Sequence, residues 1–394
     1  MREPLAGRTP AALFAKPSII AYWADGGQFG PSPCETSPPM TSPTLRAGLV
    51  GYGFAGQTFH APVLSAVPGL ELAAVASSQP HKVHADWPGV AVVPDTAALV
   101  ARQDIDLVVV ATPNAQHHPV AKAALLAGKH VVVDKPFTLD AAEARELQAL
   151  SERNKLVLAV YQNRRFDADF LTLKELLASG ELGRPVYVES HFDRYRPEVR
   201  ERWREQKVPG AGIWVDLGAH LVDQAVQLFG MPDTLQLDTA VLRDGAQVED
   251  YFHAVLRYES GPHAPLRVVL HSTTLAAHAA PRYLVHGTRG SYVKHGVDPQ
   301  EDALRAGQRP PRMGWGVDPL DGELVLPAAD GTVAKRAWPT RAGDYVAYYA
   351  AVRDAILGQG PNPVPPEQAV ALMELLDLGR RSAEEGRALP VARP

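Results

Sequence analysis

The sequence predicts an α/β protein: a doubly wound parallel sheet followed by an α+β domain with a large, mostly antiparallel open sheet. Three observations carry that expectation. From Leu45 to about Asn163, short β-branched apolar runs alternate with helical stretches, and buried strands separated by helices build parallel sheets. A complete G-x-G-x-x-G, Gly51-Tyr-Gly-Phe-Ala-Gly56, stands directly behind the first run. Beyond Asn163, strand-like runs follow one another without regular helices between them, the texture of an antiparallel sheet.

In the first half, residues 47–50 read as a strand, followed by the glycine turn and a helical segment. Residues 70–76, 90–93, 107–111, 130–133 and 156–161 are five more strands, rich in Val and Ala and flanked by turn residues. Residues 119–127 read as a helix stopped by Gly128, and Thr138 is expected to cap a helix over 139–153. In the second half a helix over 169–178 leads into a strand at 185–192. Further strands are expected at 234–243, 251–258, 266–274, 282–286 and 291–294. Helices over 344–357 and 366–384 close the chain, the first with Val346, Tyr349, Ala350 and Ile356 on one face.

The division follows: 1–44, 45–163 as the dinucleotide-binding domain, and 164–394 as the substrate and oligomerisation domain. Residues 1–44 are rich in Pro, Gly and Ser and read as a disordered leader or a start placed too early, with Met40 as an alternative initiator. Its apolar pieces are broken by Lys16 and Pro17, so the unbroken core of a secretory signal is missing. No run approaches the ~20 apolar residues that cross a bilayer. The formal net charge of -5 gives no global basic field for nucleic acid or anionic lipid. The single cysteine, Cys34, excludes an intramolecular disulfide and a cysteine zinc cluster, and an inert thiol is expected there. The cytoplasm is the default compartment.

Each glycine of the turn has a physical role in a dinucleotide-binding Rossmann domain. Gly51 permits the tight turn, Gly53 lets the backbone approach a pyrophosphate, and Gly56 lets the helix pack on the sheet. Phe54 and Ala55 complete the loop, whose helix start offers free N–H groups to phosphate. The second strand ends in Ala76-Ser77-Ser78 rather than in the acid that binds ribose hydroxyls. A carboxylate would repel a 2′-phosphate, whereas Ser77, Ser78 and a nearby Lys82 accept one, so NADP is expected over NAD. Lys82 is equally a solvated helix-face lysine. The loop Ala111-Thr112-Pro113-Asn114, with His117 beyond, is expected to line the far half of the cofactor; His118 reads as an exposed polar residue.

Lys135, in Asp134-Lys135-Pro136, ends the fifth strand on the same edge as the glycine loop. Desolvation makes a lysine there suitable for proton transfer, and its charge stabilises a developing alkoxide; the alternative is a salt bridge to Asp134. Asp216 and His220 stand four apart in Trp214-Val-Asp-Leu-Gly-Ala-His-Leu-Val-Asp223, on one side if the segment is helical. The histidine would take the substrate proton while Asp216 orients it or holds the substrate; a capping aspartate and a core histidine are the alternative. No third ligand completes a metal site, and none is expected.

Together these residues resemble the Gfo/Idh/MocA oxidoreductases, and the segments 53–62, 162–167, 189–205, 212–224 and 286–301 are similar to its YdgJ-like branch, which resembles NADP-dependent scyllo-inositol dehydrogenases. The likeness runs from about Leu45 to the C-terminal helix. It implies catalysis by Lys135 with Asp216 and His220, a cyclic polyol or sugar-like substrate, and homodimers or homotetramers. It also implies that Asn163 and Arg164 approach cofactor or substrate, with His191, Arg194 and Tyr195 as weaker candidates for substrate contact. Other readings are a non-catalytic NAD(P)-binding regulator of the same fold, and a lyase or hydrolase using bound NAD internally.

Overall fold

A computed structural model describes residues 43–278 and 280–392. The expectations for Cys34, Met40 and the leader therefore lie outside the described residues. Six strands form the first sheet: β1 (Leu45–Val50), β2 (Leu70–Ala76), β3 (Ala91–Val93), β4 (Leu107–Val110), β5 (His130–Val133) and β6 (Leu158–Val160). They are all parallel, in the order β3-β2-β1-β4-β5-β6. This is the dinucleotide-binding order, whose direction reverses between β1 and β4 and opens a ligand crevice at their carboxyl ends. Val108–Val110 and Val131–Val133 are fully buried, which explains why the central strands read as continuous apolar runs rather than as alternation.

Nine strands form the second sheet. They are β7 (Pro185–His191), β8 (Thr234–Ala240), β9 (Tyr251–Tyr258), β10 (Leu266–Thr273), β11 (Tyr283–Gly287), β12 (Ser291–Lys294), β13 (Gly322–Pro327), β14 (Val333–Trp338) and β15 (Leu389–Pro390). Their order is β14-β13-β12-β11-β7-β10-β9-β8-β15, antiparallel except where β7 runs parallel to β10. β9 alternates half-buried and buried side chains along its whole length, the pattern of a strand with one packed face.

Several boundaries differ from expectation for identifiable reasons. The helix expected from 139 is Ala141–Asn154, capped by Asp140, whose carboxylate accepts the Glu143 N–H at 2.9 Å. Thr138 instead donates to the Asp140 carbonyl. The hairpin β13–β14 is absent from the sequence expectations, because β14 is exposed along nearly all its length and carries no apolar period. The helical segment behind the glycine turn is a wide turn, Gly56–His60, running into the short helix Ala61–Leu64.

The last two helices return to the first half. In Tyr345–Ile356, the Tyr349 hydroxyl lies 2.6 Å from His60 Nδ1, and the Tyr348 ring packs edge-on against Tyr161. Pro366–Glu385 sends Asp377 to the Ala141 N–H at the start of the Rossmann helix, while its Leu376 carbonyl accepts the Trp214 indole N–H.

Candidate active site

The glycine turn has the backbone it was expected to need. Gly51 adopts φ +95°, where a side chain would be strained, and an added Cβ would lie 2.6 Å from the Ala111 carbonyl of the neighbouring strand end. A Cβ on Gly56 would overlap the Gly51 carbonyl, whereas one on Gly53 would meet nothing. The space above Gly53 is therefore open, in the position where a pyrophosphate would approach. A cavity of about 400 Å³ brings together Gly51, Gly53, Ser77, Ser78, Lys82 and Thr112. Ser77 Oγ accepts the Gln79 N–H, and Ser78 and Lys82 are exposed. Asp95 also lines this space, but its carboxylate caps the following helix at the Ala98 N–H. Phe54 is exposed beside Phe59, with the Arg305 guanidinium 5.0 Å from its ring, and Ala55 is half-buried.

The β4 loop is more occupied with the protein than its sequence suggested. His117 is buried between the Pro136 carbonyl at 2.8 Å and the Thr112 carbonyl at 3.0 Å. Burial holds its imidazole below the usual histidine range, so the neutral ring donates to one carbonyl at a time and ties the β4 and β5 loops together. Asn114 donates to the Gly210 carbonyl, bridging to the second half. Thr112 Oγ1 is buried without a partner among the described residues. His118 is half-buried and pairs with Glu146.

Lys135 crosses the crevice. Its Nζ lies 2.9 Å from both the carbonyl and Oδ1 of Asp216. The salt bridge to Asp134 is not formed: Asp134 accepts the Lys135 backbone N–H and faces His60 at 3.7 Å. Asp216 sits in a wide helical turn, Trp214–Gly218, that continues into the helix Ala219–Phe229 carrying His220. Trp214 anchors that turn, because its ring fills the space over two glycines, Gly218 and Gly379.

The two acid–base groups are held in opposite states. Burial pushes the Asp216 carboxyl up, but Lys135, then Arg204 and Arg194, hold it well below the usual carboxylate range. Burial, then the charges of Lys135 and Arg164, holds His220 far below the usual histidine range. Its Nδ1 is buried without a partner among the described residues. The expectation that Asp216 orients His220 needs correction: Asp216 commits its carboxylate to Lys135 and, at 3.6 Å, to Arg204.

Arg164, expected to approach cofactor or substrate, lies close enough to His220 for its charge to act on it. Arg164 is buried, donates to Asp167 and Glu301, and stacks 4.5 Å from Phe192, so its charge is compensated inside the protein. Asn163 is buried beside it. His191 bonds Glu189 rather than lying free, Tyr195 is exposed, and Arg194 stays beside Asp216. No third ligand joins Asp216 and His220 among the described residues; the trio with metal-ligand spacing is a different set, His191, Asp193 and His271.

Sequence reasoning did not single out Arg196, Arg202 or Arg204, which line the recess next to Asp216. Five arginines within Arg194–Arg204 are a legible signal, but in the sequence they stand inside a segment whose chief message is the family likeness.

Residues 45–162 match the family model described as "Oxidoreductase family, NAD-binding Rossmann fold", and residues 174–392 match its "C-terminal alpha/beta domain". The chain belongs to the Gfo/Idh/MocA oxidoreductase family. Among Gfo/Idh/MocA relatives, oxidoreductase YdgJ of Escherichia coli is 54% identical over 89% of this chain and 100% of that protein. The scyllo-inositol 2-dehydrogenase (NADP(+)) IolW of Bacillus subtilis is 34% identical over 88% and 96%. The solved structure of the YPO2259 putative oxidoreductase from Yersinia pestis matches with a TM-score of 0.86 at 54% identity, covering 90% of this chain and 99% of that one. No helix among the described residues is long and apolar enough to cross a membrane.

Proposed function

We propose that this Gfo/Idh/MocA oxidoreductase is an NAD(P)-dependent dehydrogenase or reductase acting on a CH–OH or C=O group of a polyol or sugar-like molecule. The observation that carries the reading is the Lys135–Asp216 pair, 2.9 Å across, which joins the end of β5 to the second half at the mouth of the crevice. The cradle of Gly51, Gly53 and Gly56 with the unpartnered Thr112 hydroxyl fits a dinucleotide, and the nicotinamide would supply the hydride acceptor or donor.

Lys135 is the candidate proton-handling group. Held by Asp216, its ammonium is aimed and charged where an alkoxide would develop. His220, kept neutral by burial and nearby cations, is the candidate base for the hydroxyl proton. Asp216 acts on Lys135 rather than on His220. Ser77, Ser78 and Lys82 around the cavity support NADP over NAD, as does the NADP dependence named for the Bacillus subtilis relative. That relative's substrate supports the polyol class. A cytoplasmic homodimer or homotetramer belongs to the same reading.

The test is a screen of purified protein with NADP or NAD against inositols, aldoses and their keto forms, followed at the nicotinamide absorbance. Lys135→Met should lower turnover about 10² or more while leaving the cofactor dissociation constant in place. Undiminished turnover in that variant would remove Lys135 from the chemistry. Tighter binding of NAD than of NADP would overturn the reading of Ser77, Ser78 and Lys82.

A further inference from the structure

The recess beside Asp216 carries more positive charge than the protein itself neutralises. Its arginines divide into two sets. Arg202 donates to Glu205 at 2.6 Å, and Arg243 pairs with both Glu205 and Asp250, so two cations and two carboxylates cancel. Arg194 and Arg196 are different: neither side chain hydrogen-bonds or ion-pairs with a described residue. Arg194 rests against the Phe192 ring, 5.6 Å from its centre, and Arg204 lies over Trp203 with only a 3.6 Å share of Asp216.

The remaining acids are already engaged. Glu301 is claimed by Arg164 and Arg305, which pull its carboxyl to about 2 against the opposing effect of burial. Glu249 also lines the recess, but it has a further cation of its own in Arg380. Asp216 is therefore shared by Lys135, Arg204, Arg194 and Arg196, with Glu301 adding a longer-range attraction to Arg194. Both unpaired guanidinium groups lose basicity through burial, and Arg196 further through its cationic neighbours, which is the cost of crowding like charges away from water. A protein keeps such a cluster when a bound anion relieves it.

We propose that the substrate is anionic, a sugar or polyol derivative bearing a carboxylate or phosphate, with Arg194, Arg196 and Arg204 binding that group while Lys135 meets the reacting carbon's oxygen. This rests on the redox reading above and narrows its substrate class. The recess has a volume of about 40 Å³, room for a small anionic group rather than a whole sugar ring. The lining places that group next to Asp216, on the second half of the chain, whereas the glycine cradle and Lys82 belong to the other cavity.

The experiment uses full-length protein saturated with NADP, titrated by calorimetry with glucuronate, glucose 6-phosphate and glucose, with NADPH formation followed in parallel. The anionic sugars should bind about tenfold or more tighter than glucose, consistent with hydrogen bonds to charged groups. That preference should shrink as salt is raised, and the stronger of the two anions identifies carboxylate or phosphate. In Arg194→Gln and Arg196→Gln the anion-over-glucose ratio should fall towards one with the NADP dissociation constant unchanged. Because neither guanidinium hydrogen-bonds or ion-pairs with a described residue, Arg196→Gln should keep the parent Tm, and Arg194→Gln should lose little, giving up only its contact with the Phe192 ring. Equal binding of anionic and neutral sugars overturns the proposal, as does weakened NADP binding in the variants, which would hand the arginines to the cofactor. NADPH formation from neutral sugars without any anion preference sinks this inference alone. Tight anion binding with no NADPH from any sugar sinks the redox reading and leaves the anion site standing.

Discussion

His220 is a buried imidazole whose native pKa lies below that of the unfolded chain, and the sign of its effect on stability follows. Above about pH 6.5, both states hold it neutral and it contributes nothing. As pH falls below that value the unfolded chain takes up the proton first, so native stability declines. His220→Gln should therefore lose less stability than the parent between pH 7 and pH 5, measured by denaturant unfolding at each pH. Equal losses would show that the native imidazole takes up its proton like the unfolded one, so that burial does not hold it neutral below about pH 6.5. Asp216 behaves in the opposite sense, since its depressed pKa keeps it ionised through the same window, and Asp216→Asn should loosen Lys135 at every pH in it. The identities of Lys135, Asp216 and His220 were legible because ionisable residues at strand and helix ends stand out against apolar neighbours. Their pairing was not. Spacing of four suggested that Asp216 served His220, yet the lysine arriving from β5, 81 residues away in sequence, took the carboxylate.

Among the elements, the glycine turn gives the sharpest contrast between folding and binding. Gly56→Ala places a Cβ against the Gly51 carbonyl, so both Tm and cofactor affinity should fall. Gly53→Ala meets nothing within the protein. It should keep the parent Tm and lose NADP affinity by about tenfold, provided a pyrophosphate passes over that residue. A tolerated Gly53→Ala in both measurements would move the phosphates elsewhere. The strands of the first sheet were readable because both faces are buried and apolar. β14 was not, since a strand exposed along its length carries no period, and neither were the wide turns at Gly56–His60 and Trp214–Gly218. Those turns are set by what packs on them: the indole of Trp214 fits only because Gly379, from the last long helix, leaves room.

Across the whole molecule, the two halves are joined by buried polar groups as well as by apolar packing. Arg165, just past the first sheet, makes two bonds to Asp223 of the helix Ala219–Phe229, at 2.8 and 2.6 Å, and donates to Gln368 and the Pro363 carbonyl. Both side chains of the ion pair are almost fully buried. Arg165→Met leaves the aspartate buried and uncompensated, and should cost about 3–5 kcal/mol in denaturant unfolding. Arg165→Met with Asp223→Leu should recover a good part of that loss, because the orphaned charge is gone. A double variant no more stable than the single would show that the hydrogen bonds to Gln368 and Pro363, rather than the ion pair, hold the joint.

Local chemistry along the chain was enough to set the alternation of strand and helix, the glycine cradle and the choice of Lys135, because each depends on neighbours a few residues away. Partner choice depended on folding. Whether Asp216 meets a lysine or a histidine, which acids Arg164 pairs with, and which arginines of the 194–204 run remain unpaired are settled by groups brought together from distant parts of the chain. Electrostatic pairing acts over a few ångströms of space, and only the folded packing decides which charges come that close.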